Sequence, residues 1–385
     1  MEKYKQDFKE ARAFAEEVEA DLDDAECSGV GQSAKQPGGV VKIGTIKPVQ
    51  HAVARSLMGR KPELFINDYI NLDQHTVFSP IAAGVTGFDP NDHVDNPDYL
   101  SQLEFAIKLM GDLVDTKILY GYNIFAYDRE VYRHCLHEKL LYPYPHSHLE
   151  CVIDMYFVLQ SIYASDPALI KFPQKENGNV EMRQEIITKA NGIEPKNAHT
   201  ADGDVLTLAE LTEFLWEKAP QHMTAALMCG SKSRAMRRLI EDPYVVYGYV
   251  ERFTRKGRVN VLTALADSGA NKFMTFDIGR FDPSDFTNLD PTEIAKLMGK
   301  TSSPFNTINL SHHPIFIPPH YSKAAGISEA EAERRAGKIK DEFRQKVQQA
   351  LNLLDARDWP VAQFPECRLY SDSFPKDLHL SESFL

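Results

Sequence analysis

The sequence predicts an α/β fold with a second, β-rich part, and three observations predict it. Short apolar strands alternate with amphipathic helices as far as about residue 225. The texture then changes: "YVVYGYVERFT", "RVNVLTALA" and "KFMTFDIG" alternate as strands between tight turns, so a smaller β-rich unit is expected over roughly residues 243–320. A charged amphipathic stretch, "SEAEAERRAGKIKDEFRQKVQQALNLLDA" (328–356), predicts a closing helix.

The elements follow in order. Over residues 1–26, Tyr4, Phe8, Ala11, Ala15, Val18 and Leu22 recur at helical spacing on an acidic background, which predicts one amphipathic helix. Residues 28–40 read as a Gly/Ser/Pro loop, and "GVVKIG" after it as a short strand. "PVQHAVARSL" leads into "PELFINDYINL", which has strand-like stretches. "LSQLEFAIKLMGDLV" (100–114) has helical periodicity, and "KILYGYN" (117–123) is a short apolar strand ending in Gly-Tyr-Asn. "DREVYRHCLHEKL" (128–140), "CVIDMYFVLQSIYA" (151–164) and "EMRQEIITKAN" read as helices, the last stopped by Gly192. "DVLTLAELTEFLWEKA" (204–219) is a long helix.

Composition narrows the function classes. The 385 residues, 43% hydrophobic and 25% charged, suit two or three globular domains. No run of about 20 apolar residues is present to span a membrane, and the N-terminal stretch lacks the apolar core of a secretory signal. The five cysteines are scattered without paired spacing, which argues against disulfides or a cysteine zinc site and fits a reducing, cytoplasmic setting. A formal charge of −12 opposes strong non-specific nucleic-acid binding overall but leaves room for a local basic groove.

Such a groove is visible. Residues 232–258 hold eight basic side chains (Lys232, Arg234, Arg237, Arg238, Arg252, Arg255, Lys256, Arg258) against three acidic ones. Tyr244, Tyr247, Tyr249 and Phe253 interleave with them, the composition of a single-strand groove or, equally, of a solvated helix face beside core strands. The chemical candidates lie earlier. "NAHTADGDVLTL" (197–208) sets His199, Asp202 and Asp204 at a helix start, Asp128 stands at a strand-to-helix junction, and Asp154 lies within an apolar helix. Carboxylates from separate elements at one end of a sheet can hold Mg2+ for phosphoryl transfer, with a histidine taking the proton from water. The same residues also serve as helix caps and a loop histidine elsewhere, so spacing alone leaves both readings open.

The flanking words carry a resemblance. "ILYGYNIFAYDREV", followed about 60 residues later by "ITKANGIEPKNAHTADGDV", resembles the bacterial exonuclease I family. "SPIAAGVTGFDP", and "FMTFDIGRFDP" through "INLSHHPIFIPP", extend the likeness over roughly residues 45–380. The resemblance implies a ribonuclease H-like exonuclease domain (45–225), an SH3-like β domain (226–325) and a C-terminal helical segment shorter than the family's (326–385). Residues 1–44 then form an atypical acidic helix and linker. It further implies a Mg2+-dependent 3′→5′ exonuclease releasing nucleotides from single-stranded DNA in repair or recombination. Asp128 and Asp204 match metal ligands and His199 the general base. Arg183 matches a residue that contacts the DNA backbone, and Lys232, Arg234, Arg255 and Arg258 join it as DNA-binding candidates. Asp202 matches no metal ligand. A single-strand-binding protein is the implied protein partner, no membrane is involved, and a monomer is expected.

One departure stands out. The family's first motif, Asp-x-Glu on the first strand, is expected shortly before "KPVQHAVARSL", where "SAKQPGG" holds no carboxylate. Asp21 and Asp23 in "ADLDD" have the spacing of the two acids but no strand before them. With motif one lost, only one of the two metal positions would be intact. Two further readings follow: a degenerate relative that binds single strands or a protein partner without cutting, or a reading frame truncated or misassigned at its ends.

Overall fold

The structure is a computed structural model. It describes residues 2–28 and 46–355, except positions 59, 75, 77, 198, 252, 253, 270 and 301. The expected strand "GVVKIG", most of the 28–40 loop, Arg252, Phe253 and the tail from 356 lie outside the described residues.

The chain divides into two compact units, the first built from Glu16–Met155 and Gly192–Phe214. Its sheet has the order β3-β2-β1-β4-β5, with β1 Ala20–Cys27, β2 Pro48–Ser56, β3 Glu63–Tyr69, β4 Ile118–Gly121 and β5 Cys151–Asp154. β1, β2 and β3 are antiparallel, whereas β1, β4 and β5 run parallel. This is the ribonuclease H-like order. The single helix expected over residues 1–26 is therefore two elements: α1 is Glu2–Glu17, and β1 follows as the central strand. A sequence as acidic as "ADLDDAEC" has little strand propensity of its own. Hydrogen-bonded partners on both edges hold it extended, β2 from Ala20↔Ser56 onward and β4 from Ala20↔Ile118. The domain boundary expected at residue 45 thus falls after the first strand of the sheet.

Other differences are local. "CVIDMYFVLQSIYA" is strand β5 followed directly by α5 (Met155–Ser165), so Asp154 ends a strand rather than lying within a helix. The predicted 328–356 helix is two, α11 Glu329–Ala336 and α12 Asp341–Asp355. In order before them come α2 Pro80–Thr86, α3 Gln102–Asp112, α4 Asp128–Glu138, α6 Gln184–Ala190, α7 Ala201–Lys218, α8 Pro220–Met228, α9 Lys232–Glu241 and α10 Pro291–Leu297. Ser101 and Glu104 form a reciprocal capping box at the start of α3, fixing where that helix begins. Phe105, Ala106 and Leu109 of α3 and Val131, Tyr132 and Cys135 of α4 bury with Ala25 and Cys27 of β1, forming the core on one face of the sheet. Side chains alternate along a strand, so Asp24 and Glu26 project from the opposite face.

The second unit comprises residues 2–15, Tyr156–Asn191 and 215–355. Its antiparallel sheet has the order β10-β6-β7-β8-β9: β6 Val245–Val250, β7 Gly257–Asp267, β8 Lys272–Asp277, β9 Phe305–Asn309 and β10 Phe316–Ile317. This is the SH3-like part. Phe276 meets Phe305 and Phe343 edge-on, and Phe305 meets Phe343 at a tilt, which ties α12 to the sheet. Gly257 allows α5 to approach the β6–β7 hairpin, since a Cβ there would stand 2.9 Å from Ala164 Cα.

One glycine shapes the loop before α7. A Cβ on Gly203 would stand 2.0 Å from the Lys196 carbonyl oxygen and 2.5 Å from that of Asn197. The chain folds back over the first helical turn only because that Cβ is missing. Gly203→Ala is expected to destabilise the protein by about 1–3 kcal/mol. Gly111→Ala, with open space around it in α3, should instead add about 0.4–1 kcal/mol. Urea titration of the two variants beside the parent checks both signs.

Candidate nuclease site

The carboxylates at issue arrive from three elements. Two-residue spacing on β1 puts Asp24 and Glu26 on one face, and Asp204 comes from the first turn of α7. Oxygens of Asp24, Glu26 and Asp204 all lie within 4.8 Å of one another. Asp128, 3% exposed at the start of α4, is the strongest charge acting on Asp24. Asp154 at the end of β5 accepts backbone N–H bonds from Asn123 (2.8 Å) and Phe125 (3.3 Å), which pins the "GYN" turn leading to Asp128.

This overturns the expectation that motif one is missing. The Asp-x-Glu pair is Asp24-Ala25-Glu26, and it precedes "KPVQHAVARSL" by about 20 residues rather than immediately. Asp21 and Asp23 do not replace it, because the alternation of β1 turns them to the other face. There Asp21 pairs with Arg55 (2.7 and 3.1 Å) and accepts from the Thr116 hydroxyl. Asp23 takes a 2.8 Å hydrogen bond from His51 and a longer one from the Tyr132 hydroxyl. The ground for reading the chain as a degenerate relative, or as one whose first strand had been replaced, goes with the correction.

Burial and mutual repulsion set the electrostatics. Burial first, then the charge of Asp204, pushes the Glu26 carboxyl up to about 8. Asp24 is held well above the ordinary carboxylate range by burial and by Asp128 and Asp204. Asp128 is held there by burial and by Asp23, Glu26 and Asp154. All the donors are hard carboxylate oxygens and no lysine or arginine pairs with Asp24 or Glu26 among the described residues, so the set fits divalent cations of the Mg2+ class.

Further residues arrange the approach. Gln50, fully buried on β2 and in register with Glu26, accepts the Ala201 N–H (2.9 Å) and donates to Asp202 Oδ1 (3.0 Å) and Asn67 Oδ1 (2.8 Å). It fastens the start of α7 to the sheet and gives Asp202 a structural partner. His199 sits in the turn before α7 with a left-handed φ of 71°, and its ring has no hydrogen-bond or ion-pair partner among the described residues. A lone amide gives no pattern in sequence, so Gln50 was not legible there. Asp24 and Glu26 were legible as an Asp-x-Glu pair in "DDAEC" once the helical period was not forced past Val18.

In the second unit the expected basic residues occupy separate places. Arg255 and Arg258 lie on the β6–β7 hairpin, Arg255 with a left-handed φ of 55° and Arg258 3.2 Å from Glu251. Lys232 and Arg234 open α9, where Lys232 bonds Asn271. Arg183 stands at the N-cap position of α6 without a side-chain capping bond and pairs with Glu181 and Glu185 while 64% of its side chain stays exposed. Arg238 is structural rather than a groove residue, being buried beside Asp242 at 2.6 Å and lying over the Tyr4 ring. Tyr244 is likewise buried. Tyr247 and Tyr249 stack (5.3 Å between centroids) and, with Phe157 and His312, line a cleft of about 220 Å³.

The carboxylate cluster dictates a pH dependence. Glu26 titrates near 8 when folded and at 4.5 when unfolded, so the folded chain binds the extra proton. Its contribution to stability is fully present below pH 4.5 and is lost as the pH rises through about 8. In EDTA, Tm should therefore fall across this window. Glu26→Gln should flatten the fall, and millimolar Mg2+ should reverse it. A calorimetric pH series with and without chelator measures all three.

No family model matches the chain. In sequence it is 30% identical over 158 residues to exodeoxyribonuclease I of Haemophilus influenzae, covering 40% of this chain and 32% of the relative. It is 29% identical over 182 residues to the Escherichia coli protein of the same name, covering 46% and 37%. The chain thus spans about a third of the length of the curated relatives it matches. In fold it is similar to Escherichia coli exonuclease I in complex with a dA16 oligonucleotide. That likeness has a TM-score of 0.68 and 20% identity, over 96% of this chain and 80% of that one. The chain is thus similar to exonuclease I proteins in sequence over part of its length and in fold over nearly all of it.

Proposed function

We propose that the chain is a 3′→5′ exonuclease that hydrolyses single-stranded DNA from its end, with divalent metal ions. The gathering of Asp24, Glu26 and Asp204 within 4.8 Å, with Asp128 beside them, carries the reading. These four carboxylates hold the cations, Mg2+ by preference given their all-oxygen chemistry. Bound there, Mg2+ supplies positive charge to the phosphoryl oxygens and the leaving oxygen. His199, unpartnered in its turn among the described residues, takes the proton from the attacking water. Gln50 positions that turn and Asp204 through the start of α7. Arg183, Lys232, Arg234, Arg255 and Arg258 hold phosphates, and Tyr247 and Tyr249 offer rings for base stacking. By the same family likeness, the chain works in DNA repair or recombination beside a single-strand-binding protein.

A 5′-labelled single-stranded oligonucleotide with Mg2+ tests this. The label should remain on progressively shorter products. His199→Ala should lower kcat by about 10²- to 10⁴-fold while DNA binding persists. Shortening that survives His199→Ala and Asp24→Asn together would overturn the assignment. Binding reads the basic residues separately. Replacing Arg255 and Arg258 by alanine should reduce the slope of log K against log salt by about 0.7 for each phosphate left without its arginine. An unchanged slope would remove the hairpin from the DNA path.

A further inference from the structure

On the side of the sheet toward which Asp21 and Asp23 turn, a second set of side chains of metal-ligating type comes together. Oxygens of Asp68 on β3 and Asp112 at the end of α3 lie within 4.8 Å of each other and of a ring nitrogen of His51 on β2. His51 is fully buried. Its Nε2 is taken by Asp23 Oδ1 at 2.8 Å, whereas its Nδ1 is buried without any hydrogen-bond partner. Asp112 Oδ2 is also buried without one. The imidazole is fixed in place, with Phe105 and Tyr132 edge-on to it at 5.4 and 5.8 Å between centroids. Tyr132 additionally donates its hydroxyl proton to Asp23 Oδ1 at 3.2 Å. A carboxylate bonded to one imidazole nitrogen, the other nitrogen buried without a partner and two carboxylates beside the ring, is an arrangement in which a histidine can ligate a metal with its tautomer set from behind.

We propose that His51, Asp68 and Asp112 form a transition-metal site, backed by Asp23 and distinct from the nuclease cluster. One nitrogen and two oxygen donors suit Zn2+, which completes its shell with water, and do not suit Mg2+. Tetrahedral ligands around zinc stand about 3.3 Å apart, so the donors close in by roughly 1 Å or more on binding. Lys108 is the built-in competitor. Its ammonium bonds Asp68 and lies 4.0 Å from Asp112 Oδ2, and 37% of its side chain is exposed to solvent. Metal here joins β2, β3 and α3, and reaches through Asp23 to the strand that carries Asp24.

The test uses the full chain with Asp24→Asn and Glu26→Gln, which disables the nuclease cluster. Equilibrium dialysis against Zn2+ alone should show one equivalent bound. Lys108→Ala should tighten that binding at least 10-fold, and Asp112→Asn should weaken it at least 10-fold. Co2+ in place of Zn2+ should give the visible absorption of a four-coordinate site, lost in Asp112→Asn. His51→Asn should abolish binding, and because that variant risks misfolding, Lys108→Ala and Asp112→Asn decide the matter. No zinc equivalent in the disabled chain overturns the site, as does zinc binding indifferent to both Lys108 and Asp112. A structural ion pair alone would make Lys108→Ala lower Tm without any gain in metal affinity, which also overturns it.

Discussion

The fold is organised around an electrostatic problem on one strand. β1 is the central strand of the first unit's sheet, yet "ADLDDAEC" carries four carboxylates in eight residues. A buried anion without a partner costs several kcal/mol or gives up its charge by taking a proton. Asp24, Glu26 and Asp128 lean toward the second outcome, their carboxyls being pushed upward by burial and by one another. The strand is tolerated because hydrogen-bonded, largely buried strands flank it on both sides. β2 is buried through seven consecutive residues, and β4 and β5 are buried throughout.

Precision at the site comes from the groups that join separate elements. Asp204 is useful only if α7 begins in the right place, and that place is set twice. Gln50 ties the first residues of α7 to β2, while Gly203 lets the 196–197 carbonyls lie against the first turn. Asp154 does the same for Asp128 by holding the turn that precedes α4. Each device is one buried polar side chain or one missing Cβ. Preorganisation of this kind lowers the reorganisation needed when charge develops on a reacting phosphate.

The sequence made the alternation of strands and helices legible, and with it the change to an antiparallel second sheet. It also pointed to Asp128, His199 and Asp204, because each sits where a strand or loop gives way to a helix. β1 was not legible. Apolar residues at helical spacing run on from α1 to Leu22, and nothing in an acidic octapeptide announces a strand. Its extended state is imposed by pairing with segments about 30 and 100 residues away. The β5–α5 junction was hidden for a related reason: "CVID" and "MYFVLQSIYA" are both apolar, with no glycine or proline between them to mark the change of period. At the other end of the chain, two helices read as one because their charged faces continue the same pattern across Gly337.

The partners of the four β1 carboxylates separate structural acids from reactive ones more sharply than spacing does. Asp21 meets a guanidinium and a hydroxyl, and Asp23 an imidazole and a phenol. Asp21 is satisfied by the chain on both oxygens and Asp23 on one, its Oδ2 being buried without a hydrogen-bond partner. Asp24 and Glu26, next along the same strand, meet other carboxylates. A protein gains nothing in stability from such a cluster, and replacing it with neutral residues would relieve the repulsion. Its presence on the central strand of the sheet is not explained by stability, which is why the cluster carries the functional reading proposed above. The same reasoning tells the two faces of β1 apart: acids on one side meet basic and hydroxyl-bearing side chains, while those on the other meet other carboxylates.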